Sequence, residues 1–506
     1  MKMREQDSAG HARGVRSRGW VFAGTLVATG VLIGAAAVAA QPTAAQSSAA
    51  LRRLLRWTPA IEKASIQEQK REMAVLGISA LRPSKDAVHP NSPDFTNYVE
   101  AKANPYPKLP ALMTLNDGTR VVTAAEWNQR RAQIKAAFDE YVYGKYPTDI
   151  PQVTWKLESV KAQTVDGIPA IVKHVVGHVD NSRDPAITVD IPVDVVTPAS
   201  TRGRGVPVII GGGQLHPFFA GFNGENGPYM HIPGMSMCIA VGPRGEPSEE
   251  LLLKRGWGFA SVDYNTVQAD NGAGLNQGII GLTNLGKPRA MDTWGVLRAW
   301  AWASSRTVDY LLTDRDVDPH KIGVMGHSRG GKAALVALVD DPRIAVGFIS
   351  SSGKGGAALY RRYYGETVAN LTAANEYHWF AGNFLRYGAV GHSANEMPVD
   401  SHEFIALAAP RAIFIGGGSL IMKPACAIPG DAWQDARGMF MAEAAASPAW
   451  EVLGDKALGV DAKFPPVNTL VGSRDMGFRQ HLYGHTPNPN WPYFIKFAAR
   501  VFAAQK

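Results

Sequence analysis

Ser328 stands at the centre of a pattern that is typical of a serine nucleophile. It lies in Gly326-His327-Ser328-Arg329-Gly330, after an apolar run at 322–325 and before a helix-forming segment of small residues at 331–335. A strand, a tight turn and a helix in this order hold the serine hydroxyl over the carboxyl edge of a sheet, where a base can reach it. We therefore predict a nucleophile. The alternative is a serine that caps the helix of an α/β protein.

The base that such a serine needs is expected late in the chain. In the strand–turn–helix arrangement the order of the catalytic groups is serine, acid, histidine. Beyond position 400 the candidates are His402, His481 and His485. His402 heads an apolar helix, where a capping or structural role is expected. His485 lies in a loop tip just before the last helix, so we prefer it as the base and keep His481 as the alternative.

The carboxylate that orients the base is harder to find. One place to look is the end of the strand after the helix that follows Ser328, but residues 350–352 are all serine. The loop after the strand at 412–415 offers Asp431 and Asp435. Asp431 follows a Pro-Gly pair in a turn that can aim a carboxylate inward. Asp435 is placed like the first residue of a helix, so we predict Asp431 as the acid and keep Asp435 open.

Two cations follow the nucleophile. The backbone amide of Arg329 can serve a developing oxyanion, and its guanidinium lies near the same spot. Lys332 is one helical turn past Ser328 and on the same face, where its ammonium suits the hydroxyls or carboxylate of a substrate. Cations are disfavoured at a helix N-terminus. This placement favours a functional role over the alternative of two solvated helix-end charges.

The elements that must position these residues alternate between strand and helix. This order predicts an α/β protein with a mostly parallel, doubly wound sheet and helices on both faces, as in the α/β-hydrolase fold. A helix at 123–146 has Thr123 as its cap, with Glu126 three residues on. Antiparallel strands at a sheet edge are predicted over 153–196, and a surface insertion over 214–249. Further strands are predicted at 206–210, 256–264, 322–325, 344–350 and 412–415, and further helices at 51–78, 291–312 and 491–504.

The first residues of the chain predict export. Residues 1–19 are positively charged, and residues 20–40 carry no charge and end in small residues. This pattern predicts a cleaved signal peptide at 1–45 and a secreted or periplasmic protein, with an uncleaved anchor as the alternative. We expect a helical extension and linker at 46–110 and the catalytic domain at 111–506.

Composition excludes several function classes. The formal charge of +8 over 506 residues is scattered, so nucleic-acid binding has little support. Only Cys238 and Cys426 are present, and no Cys/His spacing indicates zinc. We expect no cofactor, no metal, no lasting membrane partner once the signal is removed, and a monomer.

Several motifs together resemble the glucuronoyl esterases of carbohydrate esterase family 15. The Ser-Arg-x-Gly-Lys core is carried by Ser328, Arg329 and Lys332, and the likeness covers roughly residues 105–505. The segments that carry it are GHSRGGKAAL, GGAALYRRYYGETVANL, HWFAGNF, HEFIALAAPRAIFI and DAWQDARGMF. The resemblance implies an α/β-hydrolase fold. It also implies hydrolysis of the ester between (4-O-methyl-)glucuronic acid on xylan and lignin alcohols, with glucuronoxylan or a lignin–carbohydrate ester as the substrate.

The resemblance also implies roles for individual residues. Ser328 would be the nucleophile, His485 the base, and the Arg329 side chain a stabiliser of the oxyanion. Lys332 and Glu366 would contact the uronate hydroxyls. Trp433 would close over the sugar, since an indole face suits a sugar ring.

The chain departs from the family pattern at three places. Fungal members carry a glutamate where this chain has Ser351, and some bacterial members instead use an acid two residues before the pocket tryptophan, which here is Asp431. A cysteine that forms a disulfide in fungal enzymes is replaced by His327. The loop at 416–430 is longer than usual and holds Cys426.

These departures keep two alternatives open. One is another carbohydrate or aryl esterase, such as an acetyl or feruloyl esterase, on the same fold, because a fold does not fix the substrate. The other is a catalytically weak homologue that still binds sugar, since the family's usual acid is missing at Ser351.

Overall fold

The structure is a computed structural model that describes residues 58–87, 90–212, 229–231, 238–240, 246–419 and 431–505. These residues belong to one compact unit, Pro42–Lys506. The predicted signal peptide at 1–45 and Cys426 lie outside the described residues, as does most of the predicted insertion at 214–249.

Ten of the twelve described strands form one sheet in the order β1-β2-β3-β7-β4-β8-β9-β10-β12-β11, and β5 pairs with β6. The strands are β1 (Val153–Val165), β2 (Ile168–Val179), β3 (Asp190–Pro198), β4 (Val206–Gly212), β5 (Tyr229–His231), β6 (Cys238–Ala240), β7 (Gly258–Val262), β8 (Val317–His327), β9 (Val346–Ser350), β10 (Ala412–Gly418), β11 (Leu470–Gly472) and β12 (Met476–His481).

The sheet is parallel at its centre and antiparallel at its edges. Strands β7, β4, β8, β9, β10 and β12 are parallel neighbours. Strands β1, β2 and β3 add an antiparallel edge, and β11 runs antiparallel to β12 at the other edge. The predicted parallel centre of the sheet is confirmed. The antiparallel edge that was predicted over 153–196 is confirmed as well.

Twelve α-helices accompany the described strands. They are α1 (Pro59–Val75), α2 (Ala124–Tyr141), α3 (Ser248–Lys254), α4 (Tyr264–Val267), α5 (Gly278–Thr283), α6 (Val296–Leu311), α7 (Arg329–Asp340), α8 (Val368–Leu371), α9 (Ser401–Ala406), α10 (Ala436–Ala446), α11 (Pro448–Glu451) and α12 (Trp491–Ala504). No described helix combines the length and the apolar composition that a membrane crossing requires.

Two predicted helices are shorter than expected. The capping box of Thr123 and Glu126 is present at the start of α2, but the helix ends at Tyr141 and not at residue 146. The chain turns away at Gly144, whose φ is +83° and whose Cβ, if present, would lie 2.0 Å from the carbonyl oxygen of Thr293. Helix α6 begins at Val296 rather than at residue 291, because Gly295 acts as its N-cap.

Two hydrophobic cores lie on opposite faces of the sheet. Val324 and Met325 are neighbours on β8 and belong to different cores, because successive strand side chains point to opposite faces. One core includes residues of α6, α7 and α10, and the other includes residues of α3 and α12. The doubly wound α/β-hydrolase architecture is therefore confirmed.

Helix α1 packs through polar side chains. Thr58 caps it, and its buried residues are Ser65, Gln69 and Glu72. Glu72 forms an ion pair with Arg289 at 2.8 Å, and both side chains are fully buried. The helix that was predicted at 51–78 is therefore present and packed on the main body. Its buried face, however, is polar, and residues 51–57 lie outside the described part of the chain.

Candidate active site

Ser328 occupies a sharp turn between β8 and α7. Its backbone has φ 58° and ψ −128°, a conformation that residues with a side chain seldom adopt. The turn is tight because a Cβ at Gly326 would lie 2.0 Å from the carbonyl oxygen of Gly330. The Ser328 N–H donates to the carbonyl of Ser350 at the end of the neighbouring strand β9. The predicted elbow is therefore present, with Ser328 at the carboxyl end of a central strand.

His485 and Asp431 form a hydrogen-bonded pair next to this turn. The Nδ1–H of His485 donates to Asp431 Oδ1 at 2.7 Å. The ring of His485 packs against the ring of His327, the residue before Ser328, with centroids 4.3 Å apart. On the other side of the imidazole, Nε2 has no hydrogen bond to any described residue, and none joins Ser328 Oγ to the imidazole. The structure thus brings His485 and Asp431 together beside Ser328.

Asp431 is fully buried and accepts hydrogen bonds from three groups. Besides His485, the Ser351 hydroxyl donates to Oδ2 at 2.5 Å, and the N–H of Gly418 donates to the same oxygen. Burial acts to raise the pKa of Asp431, but the hydrogen bond and charge of His485 and the hydroxyl of Ser351 outweigh it and lower the pKa to about 2. The carboxylate is therefore ionised at neutral pH and can hold one tautomer of the base.

The alternative acid and bases have other partners. Asp435 caps α10 by accepting from the N–H of Gly438, and it forms an ion pair with Arg362 at 2.9 Å. Both ring nitrogens of His481 are engaged, because Nε2–H donates to the carbonyl of Thr486 and Nδ1 accepts from the N–H of Tyr483.

Burial lowers the pKa of His481 to about 4, so its ring is neutral and braces the loop that carries His485. His402 is buried in α9 with Nε2 bonded to the carbonyl of Pro110, which is the structural role expected for it.

His327 is a second buried imidazole at the site. Its Nδ1 lies 3.1 Å from Ser350 Oγ. Burial and the neighbouring His485 hold the pKa of His327 well below the usual value for histidine. A neutral ring in this place packs against His485 without adding a competing charge.

Lys332 and Glu366 form a buried ion pair one turn along α7. Lys332 Nζ lies 3.0 Å from Glu366 Oε2, and the two side chains are 2% and 4% exposed. The ammonium also donates to the carbonyls of Ser352 and Lys354, so its three hydrogens all have protein acceptors. The pair fixes Glu366, whose backbone N–H donates to the carbonyl of Trp433. Lys332, Glu366 and Trp433 are therefore brought together.

Arg329 contacts a second group of residues. Its guanidinium forms an ion pair with Asp270 at 2.6 Å and remains 44% exposed. The guanidinium carbon lies 5.4 Å from the centre of the Trp379 ring, and Lys332 Nζ lies 5.7 Å from it. Arg329 is also the first residue of α7, where backbone N–H groups have no acceptor within the helix. Both its amide and its guanidinium are thus available next to the serine.

Sequence reasoning missed the residues that hold Arg329. Asp270 Oδ1 accepts from Trp379 Nε1 at 2.6 Å and from His378 Nε2 at 3.0 Å. Burial opposes ionisation of Asp270, but Arg329 and His378 overcome it and lower the pKa of this carboxyl below its usual range. The HWF segment at 378–380 was noted in the resemblance, but no motif marked Asp270 as its partner.

Glu376 was missed as well. Its Oε2 atom is buried and has no hydrogen-bond partner among the described residues. Burial, followed by the negative charge of Glu366, raises the pKa of Glu376 to about 8, while Lys332 and Arg329 oppose the rise. A carboxyl group with a raised pKa keeps its proton to higher pH, and in that form it can both donate and accept a hydrogen bond. Such a group suits a hydroxyl-rich ligand.

The arrangement has the groups that a serine hydrolase uses. A serine in a strained turn, an oriented imidazole and an ionised carboxylate are adjacent, and positive groups lie beside them. One cluster contains Lys332, Glu366 and Trp433, and a second contains Arg329, Asp270 and Trp379. The two clusters adjoin, because Lys332 Nζ also lies near the Trp379 ring.

Known proteins with sequence similarity are esterases. A family model described as "Glucuronyl esterase, fungi" matches residues 286–454. The carbohydrate esterase MZ0003 from an unknown prokaryotic organism is 31% identical over 422 residues, which cover 79% of this chain and 91% of that protein. A 4-O-methyl-glucuronoyl methylesterase of Schizophyllum commune is 27% identical over 314 residues, which cover 60% of this chain and 66% of that enzyme.

A solved structure agrees with these relatives. The glucuronoyl esterase of family CE15 from Teredinibacter turnerae T7901 is 37% identical, with a TM-score of 0.76, and the match covers 87% of this chain and all of that structure. The resemblance inferred from the motifs is thereby confirmed, and with it the class of carboxylic ester hydrolases. The chain belongs to the glucuronoyl esterases of carbohydrate esterase family 15.

Proposed function

We propose that this protein is an exported serine esterase that hydrolyses esters of 4-O-methyl-glucuronic acid through an acyl-enzyme intermediate. The hydrogen bond of 2.7 Å between His485 and Asp431, next to the strained turn of Ser328, carries the proposal. The names of two relatives support the substrate: one is a 4-O-methyl-glucuronoyl methylesterase, and the other is a glucuronoyl esterase.

The first half of the reaction forms an ester on the enzyme. Ser328 Oγ attacks the carbonyl carbon of the uronate ester while His485 Nε2 accepts the hydroxyl proton. The negative charge that develops on the carbonyl oxygen is met by the backbone N–H and guanidinium of Arg329. His485 then gives its proton to the departing alcohol, and the glucuronoyl group remains bound to Ser328.

The second half releases the acid. A water molecule loses a proton to His485 and attacks the acyl carbon, and the Ser328–acyl bond breaks as the serine recovers its proton from the imidazole. Throughout the cycle Asp431 stays ionised and accepts a hydrogen bond from Nδ1–H, which stabilises the positive charge on the ring.

We propose that the cluster of Lys332, Glu366 and Trp433 binds the sugar. The three N–H groups of Lys332 bond to protein oxygens, so its main contribution is to orient the Glu366 carboxylate toward a uronate hydroxyl. Glu376 adds a second carboxyl group near Glu366, and the indole of Trp433 suits a sugar ring. The natural target would be the ester that joins glucuronic acid on xylan to a lignin alcohol.

Export is inferred from the start of the sequence. The charged start and uncharged stretch of residues 1–45 support a signal peptide that directs the enzyme out of the cytoplasm.

The test is a comparison of two substrates on one purified protein. We expect turnover of benzyl glucuronate, little turnover of a simple acetate ester, and loss of both activities in Ser328→Ala with sugar binding retained. Hydrolysis of the acetate ester alone would assign a different esterase activity. Sugar binding without turnover of either ester would mean a catalytically weak homologue.

A further inference from the structure

The N-terminal helix α1 contacts the residues that hold Arg329, which together we call the Arg329 wall. That wall is built from two segments that are far apart in the sequence. Residues 270–274 supply Asp270, and residues 372–379 supply His378 and Trp379. The hydrogen bonds from His378 and Trp379 to Asp270 join the segments on the pocket side.

Helix α1 joins the same two segments from behind. The hydroxyl of Ser65 accepts from the N–H of Ala273, and its carbonyl accepts from the hydroxyl of Tyr377 at 3.0 Å. Gln69 Nε2 donates to the carbonyl of Thr372 at 2.7 Å. Ser65 is wholly buried and Gln69 is 7% exposed. One face of the helix therefore bonds to Ala273, three residues after Asp270, and to Tyr377, directly before His378.

The fit between these groups leaves little room for displacement. A Cβ on Gly272 would lie 2.2 Å from the Tyr377 hydroxyl, so the two segments are in close contact where Ser65 meets them. The Glu72–Arg289 pair fixes the last turn of the helix, and Arg289 also donates to the carbonyl of Trp294. Hydrogen bonds need defined distances and directions, so this polar face specifies the position of α1 more sharply than an apolar face would.

We infer that α1 is a positioning element of the active site. Through Ser65 and Gln69 it holds the segments that carry Asp270 and the His378–Trp379 pair together, and so sets the location of the Arg329 guanidinium. This inference rests on the proposed function, in which Arg329 stabilises the oxyanion. None of the α1 residues is a catalytic residue, because they act through Asp270 and Trp379.

The position of Arg329 relative to the reacting carbonyl affects the free energy of the transition state more than it affects the affinity for the substrate. Displacement of a transition-state donor lowers kcat, whereas in the proposed function the sugar is held by Glu366 and Trp433. Loss of the α1 contacts should therefore lower kcat and leave KM nearly unchanged.

The experiment compares Gln69→Ala with Gln67→Ala in the full-length protein. Gln67 is exposed on the same helix and forms no hydrogen bond with any described residue, so its variant is the matched control. A fluorophosphonate probe that labels Ser328 counts functional sites, and kcat is expressed per labelled site, which removes any effect of partial unfolding. We expect Gln69→Ala to lower kcat on benzyl glucuronate about tenfold with KM within about twofold, and Gln67→Ala to change neither.

A double-mutant cycle shows whether the effect passes through Arg329. On an activated aryl ester, Gln69→Ala should cost no further activity when added to Arg329→Ala, since the group that it positions is already absent. If the two losses multiply, or if Gln69→Ala matches Gln67→Ala, the inference is wrong.

A second variant and a separate measurement on the unchanged protein complete the experiment. If Gln69→Ala does not fold, Tyr377→Phe tests the same inference with the ring retained, and the same fall in kcat is expected. Labelling and turnover of the unchanged protein test the proposed function separately, so a failure there is distinguishable from a failure of α1 to position the wall.

Discussion

At the residue scale, the carboxylate proposed as the acid is a buried charge whose hydrogen-bond donors all lie close to it. Asp431 is fully buried and accepts hydrogen bonds from His485, Ser351 and Gly418. Its pKa of about 2 keeps it ionised across the neutral range. Removal of one of these hydrogen-bonded groups should therefore perturb the others more than it perturbs residues on the exposed surface.

Asp431→Asn should lower kcat on the order of 10⁴-fold, because the amide no longer holds His485 in the tautomer that can accept a proton from Ser328. Steady-state kinetics on benzyl glucuronate at neutral pH measure the effect. Ser351→Ala, which leaves the carboxylate in place and removes one donor, is the control and should cost far less. A loss under tenfold in Asp431→Asn would point to Asp435 or to no acid at all.

Lys332→Met should lower the free energy of unfolding by about 3–5 kcal/mol, because it leaves the carboxylate of Glu366 buried without its cation. The double variant Lys332→Met/Glu366→Gln should recover most of that stability, since neither charge remains. Urea unfolding followed by tryptophan fluorescence measures all three proteins. A double variant as unstable as the single one would show that the pair does not act as a unit.

Sequence reasoning at this scale found the residues that follow a known order and missed those that do not. Asp431 and His485 were predicted from their places after particular strands, and the structure joins them by a hydrogen bond. Asp270, Glu376 and the supporting hydroxyl of Ser351 come from separate loops without a motif. Their significance depends on contacts between loops, such as the ion pair between Asp270 and Arg329, which are 59 residues apart in the sequence. Spacing along the chain does not encode such contacts.

At the element scale, parallel strands gather the site at one edge of the sheet. Ser328 follows β8, Ser351 follows β9, Asp431 comes after β10, and His485 comes after β12. These four strands are consecutive in the sheet, so their carboxyl ends lie side by side. The elbow and the loops after the strands bring together groups that are up to 157 residues apart, from Ser328 to His485.

Gly326→Ala should remove at least about 99% of the activity, because its Cβ would lie 2.0 Å from the carbonyl of Gly330 and the elbow would have to open. Activity is measured with benzyl glucuronate, and near-ultraviolet circular dichroism reports whether the fold persists. Gly391→Ala serves as the comparison for backbone strain without a steric clash, because Gly391 has φ +87° but a Cβ there meets no atom within 4 Å. Normal turnover in Gly326→Ala would mean that the elbow geometry is not needed.

Glu443 in α10 should make stability depend on pH. It is fully buried, and no cation pairs with it in the part of the chain that the structure describes. Burial raises its pKa well above the usual value, so the folded state keeps a proton that the unfolded chain loses above about pH 4.5. The contribution of Glu443 to the free energy of unfolding is therefore greatest at low pH. It falls as the pH rises toward the raised pKa.

Glu443→Gln should consequently lose less stability than the unchanged protein between pH 5 and pH 8. Chemical unfolding at both pH values gives the difference. Equal losses in the two proteins would show that Glu443 ionises normally in the folded state.

The elements themselves were largely predictable, and the face of α1 was not. Apolar runs identified the central strands, and Thr123 with Glu126 identified the start of α2, because burial and capping leave local patterns in the sequence. Helix α1 buries Ser65, Gln69 and Glu72. A polar buried face cannot be distinguished by composition from a solvated one, so only the structure reveals which residues contact the body.

At the scale of the whole molecule, a doubly wound sheet gathers two groups of side chains near Ser328. One group contains Glu366 and Trp433, and the other contains Arg329 held by Asp270. Helix α1 bonds to the segments that carry Asp270 and its partners. The central claim is that this arrangement transfers a glucuronoyl group to Ser328 and then to water.

The most direct measurement is to quench a single turnover of benzyl glucuronate and to identify the modified peptide by mass spectrometry. The account predicts a glucuronoyl ester on Ser328 that forms before glucuronate is released and that is absent in Ser328→Ala. Release of glucuronate with no ester on Ser328, or an ester on another residue, would contradict it.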